Sequence, residues 1–222
     1  MRGRQRMAEL KRESAYAVRV EELIRHFRED PRFRIASERA IEIMKTTGLD
    51  YHNEAHALHV EKYALTFAIG EGVAQEQLPL LALAALFHDT GYVVVYDHNE
   101  PEGAKIAEVE LRKVGYSESE IQMVKDMIVY GTTCPQKPRN MLERIMTDAD
   151  LAFVGVADSE ELTEALRREM RVSDRRDWLR WETGWMDRLP ECFTKTARDM
   201  LGARRAEHVK RLDRELRTLE RQ

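Results

Sequence analysis

The chain has 222 residues, 43% hydrophobic and 34% charged, with a formal net charge of −4. That length suits one domain with a sizeable core. The charge balance excludes a general pull toward nucleic acid, and no run of about 18 apolar residues marks a membrane span. The two cysteines, Cys134 and Cys192, form no CxxC pair, which excludes a disulfide framework and fits a reducing, cytoplasmic setting.

The start, MRGRQRMAEL, is basic but lacks the apolar segment of a secretory signal. Arg2, Arg4, Arg6, Lys11 and Arg12 read as a solvated helix start rather than a contact to RNA or DNA. Residues 7–29 carry Leu10, Ala17, Val20, Ile24 and Phe27 at helical spacing, and Asp30-Pro31 ends the run. A second helix is predicted over 33–47, with Ile35, Ala40, Ile43 and Met44 as its apolar side and Gly48 as its stop. No Pro or Gly interrupts the stretch from His52 to Ile69, so one helix is predicted there. It would place His52, His56 and His59 on one side. The next helix, 76–88, has Pro79 in its first turn. It is apolar nearly all round, which belongs in the middle of a domain. His88 and Asp89 close it, just before Thr90-Gly91.

Val93 to Tyr96 has no obvious strand partner and reads as loop. Asn99, with Glu102 three residues on, predicts a capped helix with Ala104, Ala107, Leu111 and Val114 buried. Ser117 and Glu120 repeat the capping box before Ile121, Val124 and Ile128. A loop over 132–138 leads to a helix from Met141 to about Phe153 that carries Asp148 and Asp150. The helix predicted over 158–171 has an acidic start and a basic end, as the helix dipole favours. Helices over 174–187 and 194–222 complete an all-α chain, expected to be a single domain over 1–222.

Histidines and aspartates from separate helices suit a divalent ion with a coordination position left for water. A His-Asp pair closing an apolar helix is hard to explain as packing, because burying an unpaired Asp is costly. Asp148 and Asp150 lie roughly 200° apart around a regular helix, so one of them faces away from any shared ion. Spacing alone does not choose between them. Trp178, Trp181 and Trp185 form a helical stripe that reads as core or subunit interface, a homodimer included, rather than as a surface for ligand stacking. Cys134 has no histidine near it in sequence and is not expected to be a nucleophile.

A His, then a His-Asp pair, then a distant Asp, all on helices, resembles the HD superfamily of metal-dependent phosphohydrolases. Tyr51-His52-Asn53-x-x-His56-Ala57-x-x-Val60 resembles the opening motif of the related cyclic-nucleotide phosphodiesterases, and Ala149-Asp150-Leu151 resembles the surroundings of their last metal-binding aspartate. The likeness covers roughly residues 35–155, with the N-terminal helix and the C-terminal helices packed on that core. It implies a phosphodiesterase-like helical bundle, with His56, His88, Asp89 and Asp150 as ligands to a metal. His52 would be the proton donor to the leaving oxygen. Phosphodiesterases place another histidine soon after His-Asp, where this chain has Thr90-Gly91-Tyr92. The nearer likeness is to compact bacterial HD hydrolases of the YHNxxH kind. Glu100 would then orient water, unless it caps its helix. Lys105 and Arg144, with Lys137 and Arg139, are candidates to contact phosphate.

Only His98 lies between His88 and Asp150. One divalent ion (Mn, Mg, Fe, Co, Ni or Zn) is therefore expected rather than two. The implied reaction is hydrolysis of a phosphomonoester or phosphodiester, of nucleotide type, by metal-activated water. The rival is a non-catalytic HD module that binds metal or nucleotide and signals to a partner.

Overall fold

A computed structural model of the protein describes residues 2–133 and 137–221, with side chains from residue 14 onward. The described residues form ten α-helices and no strand. These are α1 (Arg2–Phe27), α2 (Pro31–Lys45), α3 (Glu54–Gly70), α4 (Leu78–Phe87), α5 (Glu100–Lys113), α6 (Glu118–Thr132), α7 (Met141–Asp150), α8 (Ser159–Glu169), α9 (Arg175–Met186) and α10 (Lys195–Leu219). No helix among the described residues is long and apolar enough to cross a membrane. Cys134 and the side chains of Arg2, Arg4, Arg6, Lys11 and Arg12 lie outside the described residues.

The organising element is α4. Every residue in it except Pro79 is buried, and it packs against α2, α3, α5, α6 and α7. Taking each of its leucines out of water stabilises the fold by about 1.5–3 kcal/mol. The main core adds Val60, Leu65 and Phe67 of α3, Ile121 and Ile128 of α6, and Ile145 and Met146 of α7. A second cluster, with Tyr51, Phe153, Leu166, Trp178, Leu179 and Leu212, joins the 3-10 turn Leu151–Gly155 to α8, α9 and α10.

Two struts fix α10 on the bundle. Asp148 accepts hydrogen bonds from Phe193 N (2.8 Å), Thr194 N (2.7 Å) and Thr194 Oγ1 (2.7 Å). Glu71 Oε1 accepts from Thr196 N and Thr196 Oγ1, both at 2.7 Å. Both carboxylates therefore satisfy free N–H groups at a helix N-terminus, where negative charge is favoured.

Three local expectations change. Ile35 is 46% exposed, and α2 buries Phe33 and Ala36 beside the expected Ala40 and Met44. The helix expected from His52 starts at Glu54, because Asn53 caps it by accepting from Ala55 N (2.9 Å) and His56 N (3.4 Å). His52 therefore lies outside the helix, not on one face with His56 and His59. Asn99 stands at the start of α5 but makes no side-chain cap. The Ser117–Glu120 capping box forms as expected.

The turn after α4 presses against the start of α5 through two glycines. A Cβ on Gly91 would stand 2.0 Å from Asn99 O and 2.7 Å from Gly103 N, and one on Gly103 would stand 2.8 Å from His88 O. The obstacles are backbone, which cannot swing aside. Gly91→Ala is expected to destabilise the protein by about 3 kcal/mol, read as a lowered urea midpoint. An unchanged midpoint would show that this approach can relax.

Candidate metal centre

Three helix ends bring the site together. His56 stands in the first turn of α3, just after the Asn53 cap, and is 4% exposed. His88 and Asp89 follow the last residue of α4 and are 0% and 5% exposed. The helix breaks at Asp89 itself (φ −101°, ψ 5°), before the 3-10 turn Thr90–Val93. Adjacent side chains can therefore point the same way. Asp150 is the last residue of α7.

Asp89 Oδ2 lies 3.0 Å from His88 Nε2 and 3.3 Å from His56 Nε2. Asp150 Oδ1 lies 3.3 Å from His56 Nε2 and 3.6 Å from His88 Nε2. The nearest ligand atoms of His56, His88 and Asp150 all fall within 4.8 Å of one another. Yet His56 Nε2, His88 Nε2 and Asp89 Oδ2 are buried without a hydrogen-bond partner. His88 Nδ1 faces the Ala85 carbonyl at 2.7 Å. A carbonyl only accepts, so Nδ1 carries a proton and the ring turns Nε2 into the cluster.

Burial opposes the Asp89 and Asp150 charges, but the facing imidazoles outweigh it. Asp89 is held well below the usual carboxylate range and Asp150 at about 2. Burial likewise opposes a charged imidazole, but the two carboxylates raise both His56 and His88. The cluster thus calls for added positive charge. Two imidazole nitrogens and Asp89 Oδ2, all without a hydrogen-bond partner, converge with Asp150 and fit a divalent first-row ion.

His52 lies beside this cluster. Its Nδ1 is 2.5 Å from Glu169 Oε1, and its Nε2 is 3.2 Å from the Tyr92 hydroxyl. Glu169 Oε2 also accepts from Tyr51 N (2.8 Å) and His52 N (2.9 Å), and Tyr96 donates to Oε1 (2.9 Å). Burial works against the Glu169 charge, but His52 and these backbone N–H groups hold its pKa at about 2. An ionised carboxylate can only accept. The His52 ring therefore donates through Nδ1 and turns Nε2 toward Tyr92 and the cavity.

That cavity, about 280 Å³, is lined by His52, Asp89, Tyr92, Asn99, Glu100 and Asp150 among others. Asn99 Oδ1 and Glu100 Oε2 are buried in it without a partner. Burial, and repulsion from Asp89 and Asp150 beyond it, push the Glu100 carboxyl up. Lys105 and Arg144 are not among its lining residues. Lys105 pairs with Glu102 at 2.6 Å, and Arg144 is exposed. Arg139 is held by Asp126 and Glu143, and Lys137 and His98 are exposed. Of the two α7 aspartates, Asp150 faces the cluster and Asp148 anchors α10. His59 is half-buried outside the cavity, and burial lowers its pKa to about 4.

Sequence reasoning missed Glu169, Tyr92 and Tyr96. One signal was in view: Glu169 is an acid at the C-terminal end of α8, where the helix dipole disfavours negative charge.

The sequence model of the HD domain family matches residues 53–162, which hold His56, His88, Asp89 and Asp150. The fold is similar to the crystal structure of Bacillus subtilis YpgQ in complex with ADP, with a TM-score of 0.61 and 16% identity over 85% of this chain and 94% of that one. No curated protein matches the chain. With the HD-domain match spanning the helices that assemble the cluster, residues 53–162 of this chain form an HD domain, the domain of the HD superfamily of metal-dependent phosphohydrolases.

Proposed function

We propose that this protein hydrolyses a phosphomonoester or phosphodiester of a nucleotide, using one divalent ion held by His56, His88, Asp89 and Asp150. The observation that carries this reading is the convergence of two buried imidazole nitrogens and Asp89 Oδ2, none with a hydrogen-bond partner, on a cavity that also holds an oriented histidine. A bound divalent ion supplies Lewis-acid polarisation of the phosphoryl group and a water of lowered pKa. The chain's own residues do the rest. His52, with Nδ1 tied to Glu169, protonates the leaving oxygen from Nε2. Glu100, half-buried beside Asp89 and Asp150 with a free carboxylate oxygen, orients water in the same cavity. The nucleotide class is supported by the ADP held in the similarly folded YpgQ.

Metal content of the purified protein and phosphate release from nucleoside mono-, di-, tri- and cyclic phosphates test this. Activity is expected with at least one of Mn, Mg, Fe, Co, Ni or Zn, and its loss on chelation. A protein that neither retains an ion nor gains turnover with any of the six overturns the reading. Tight nucleotide binding without turnover would make it a binding module instead.

A further inference from the structure

The lining of the cavity is of two kinds. His52, Asp89, Asn99, Glu100 and Asp150 are polar. Leu151, Phe153, Leu166, Met170, Trp181 and Trp185 are apolar. A small phosphate ester needs only the first. A ligand that meets both carries charge and an apolar body.

The apolar part of the lining is built from aromatic rings in series. Phe153 and Trp185 centroids lie 5.7 Å apart with planes 27° apart. Trp185 and Trp181 are 5.8 Å apart and 7° from parallel, and Trp181 and Trp178 are 4.9 Å apart and 25° from parallel. Trp178 is 1% exposed and belongs to the core. Trp181 and Trp185 keep part of their surface open and line the cavity. The indoles stand on α9, a regular helix, and their near-parallel order is held by Trp178 beneath. Trp181 and Trp185 each already carry a ring against both faces, so a further flat ring meets their edges, an edge-to-face contact with little rotamer freedom left to lose.

We infer that Trp181 and Trp185, with Phe153, form the binding surface for the aromatic base of the nucleotide, and so decide that the substrate is a nucleoside phosphate rather than a sugar phosphate. This rests on the reading of the site as a nucleotide phosphohydrolase and adds the residues that select the base. These indoles come from α9, outside the family-matched residues 53–162.

All three tryptophans of the chain lie on α9, so its intrinsic tryptophan fluorescence reports this surface directly. Stopped-flow fluorescence before turnover is expected to show quenching by AMP and none by ribose 5-phosphate. Trp185→Leu is expected to weaken AMP binding about tenfold more than ribose 5-phosphate binding, the size of a lost aromatic–aromatic contact. Trp185→Phe keeps a flat ring and is expected to bind AMP within about threefold of the parent protein. Equal affinity for AMP and ribose 5-phosphate overturns the inference, as does equal weakening of both by Trp185→Leu. AMP quenching without turnover of any phosphate ester would leave the aromatic surface standing and remove the hydrolase reading. Turnover of AMP and ribose 5-phosphate at equal KM would do the reverse.

Discussion

Asp89→Asn is expected to strip the divalent ion and abolish hydrolysis together. Asparagine keeps the shape of the side chain and removes only its charge and one acceptor. Asp89 Oδ2 is the atom that touches both imidazoles, at 3.0 Å and 3.3 Å. An ion that supplies several kcal/mol of charge stabilisation is worth roughly a thousandfold in rate or more, so kcat should fall by at least that much. Metal analysis should show far less than one ion per chain, and excess Mn should restore little. Because Asp89 is buried against two histidines, the folded state also loses a partner; urea unfolding of both proteins separates a site effect from a global one. An Asp89→Asn protein that is folded and retains a full equivalent of metal would remove Asp89 from the ligand set.

How much of this site could be read in the sequence depends on how local each residue's reason for being there is. His88 and Asp89 were legible because they end a helix that is apolar on every side, where an unpaired acid has no packing role. Their convergence with His56 and Asp150 followed from motif resemblance, and the structure brings the four together. His52 was placed on the wrong element. The apolar pattern runs on through Asn53 without Pro or Gly, and the capping hydrogen bonds that start the helix leave no mark on that pattern. Asp148 and Asp150 look alike in sequence. They part company because Asp148 serves the N-terminus of α10, some 46 residues away in the chain. Glu169 was out of reach for the same reason, its hydrogen bond to the His52 ring spanning 117 residues. The tryptophan stripe was half legible: its period marks one helix face, and Trp178 is core. Nothing in that period separates Trp178 from Trp181 and Trp185, which border the cavity.

His52→Gln is expected to keep the metal and lose rate in a way that depends on the leaving group. A group that donates a proton to the departing oxygen matters most when that oxygen leaves as a basic alkoxide and least when it leaves as an acidic phenol. The variant should therefore fall about 100- to 10,000-fold on a nucleoside monophosphate but far less on p-nitrophenyl phosphate. A uniform loss on both substrates would deny His52 the role of acid. Glu169 is a positioning residue in this account, acting through the His52 ring. Glu169→Gln should also retain the ion, and its loss of rate should be smaller, roughly 10- to 100-fold. Acting through the same acid, Glu169→Gln should lose less rate on p-nitrophenyl phosphate than on a nucleoside monophosphate. A merely structural residue would lower both rates alike. Stability carries a second signature. The Glu169 carboxyl sits at about 2 in the folded protein against an ordinary value of 4.5. A depressed carboxyl stabilises the fold above its unfolded pKa, and that contribution is lost as pH falls through the folded one. The parent protein should therefore lose stability between about pH 4.5 and 2 more steeply than Glu169→Gln. Parallel acid-unfolding curves would show that Glu169 is not held as an ion by His52 and the Tyr51–His52 backbone.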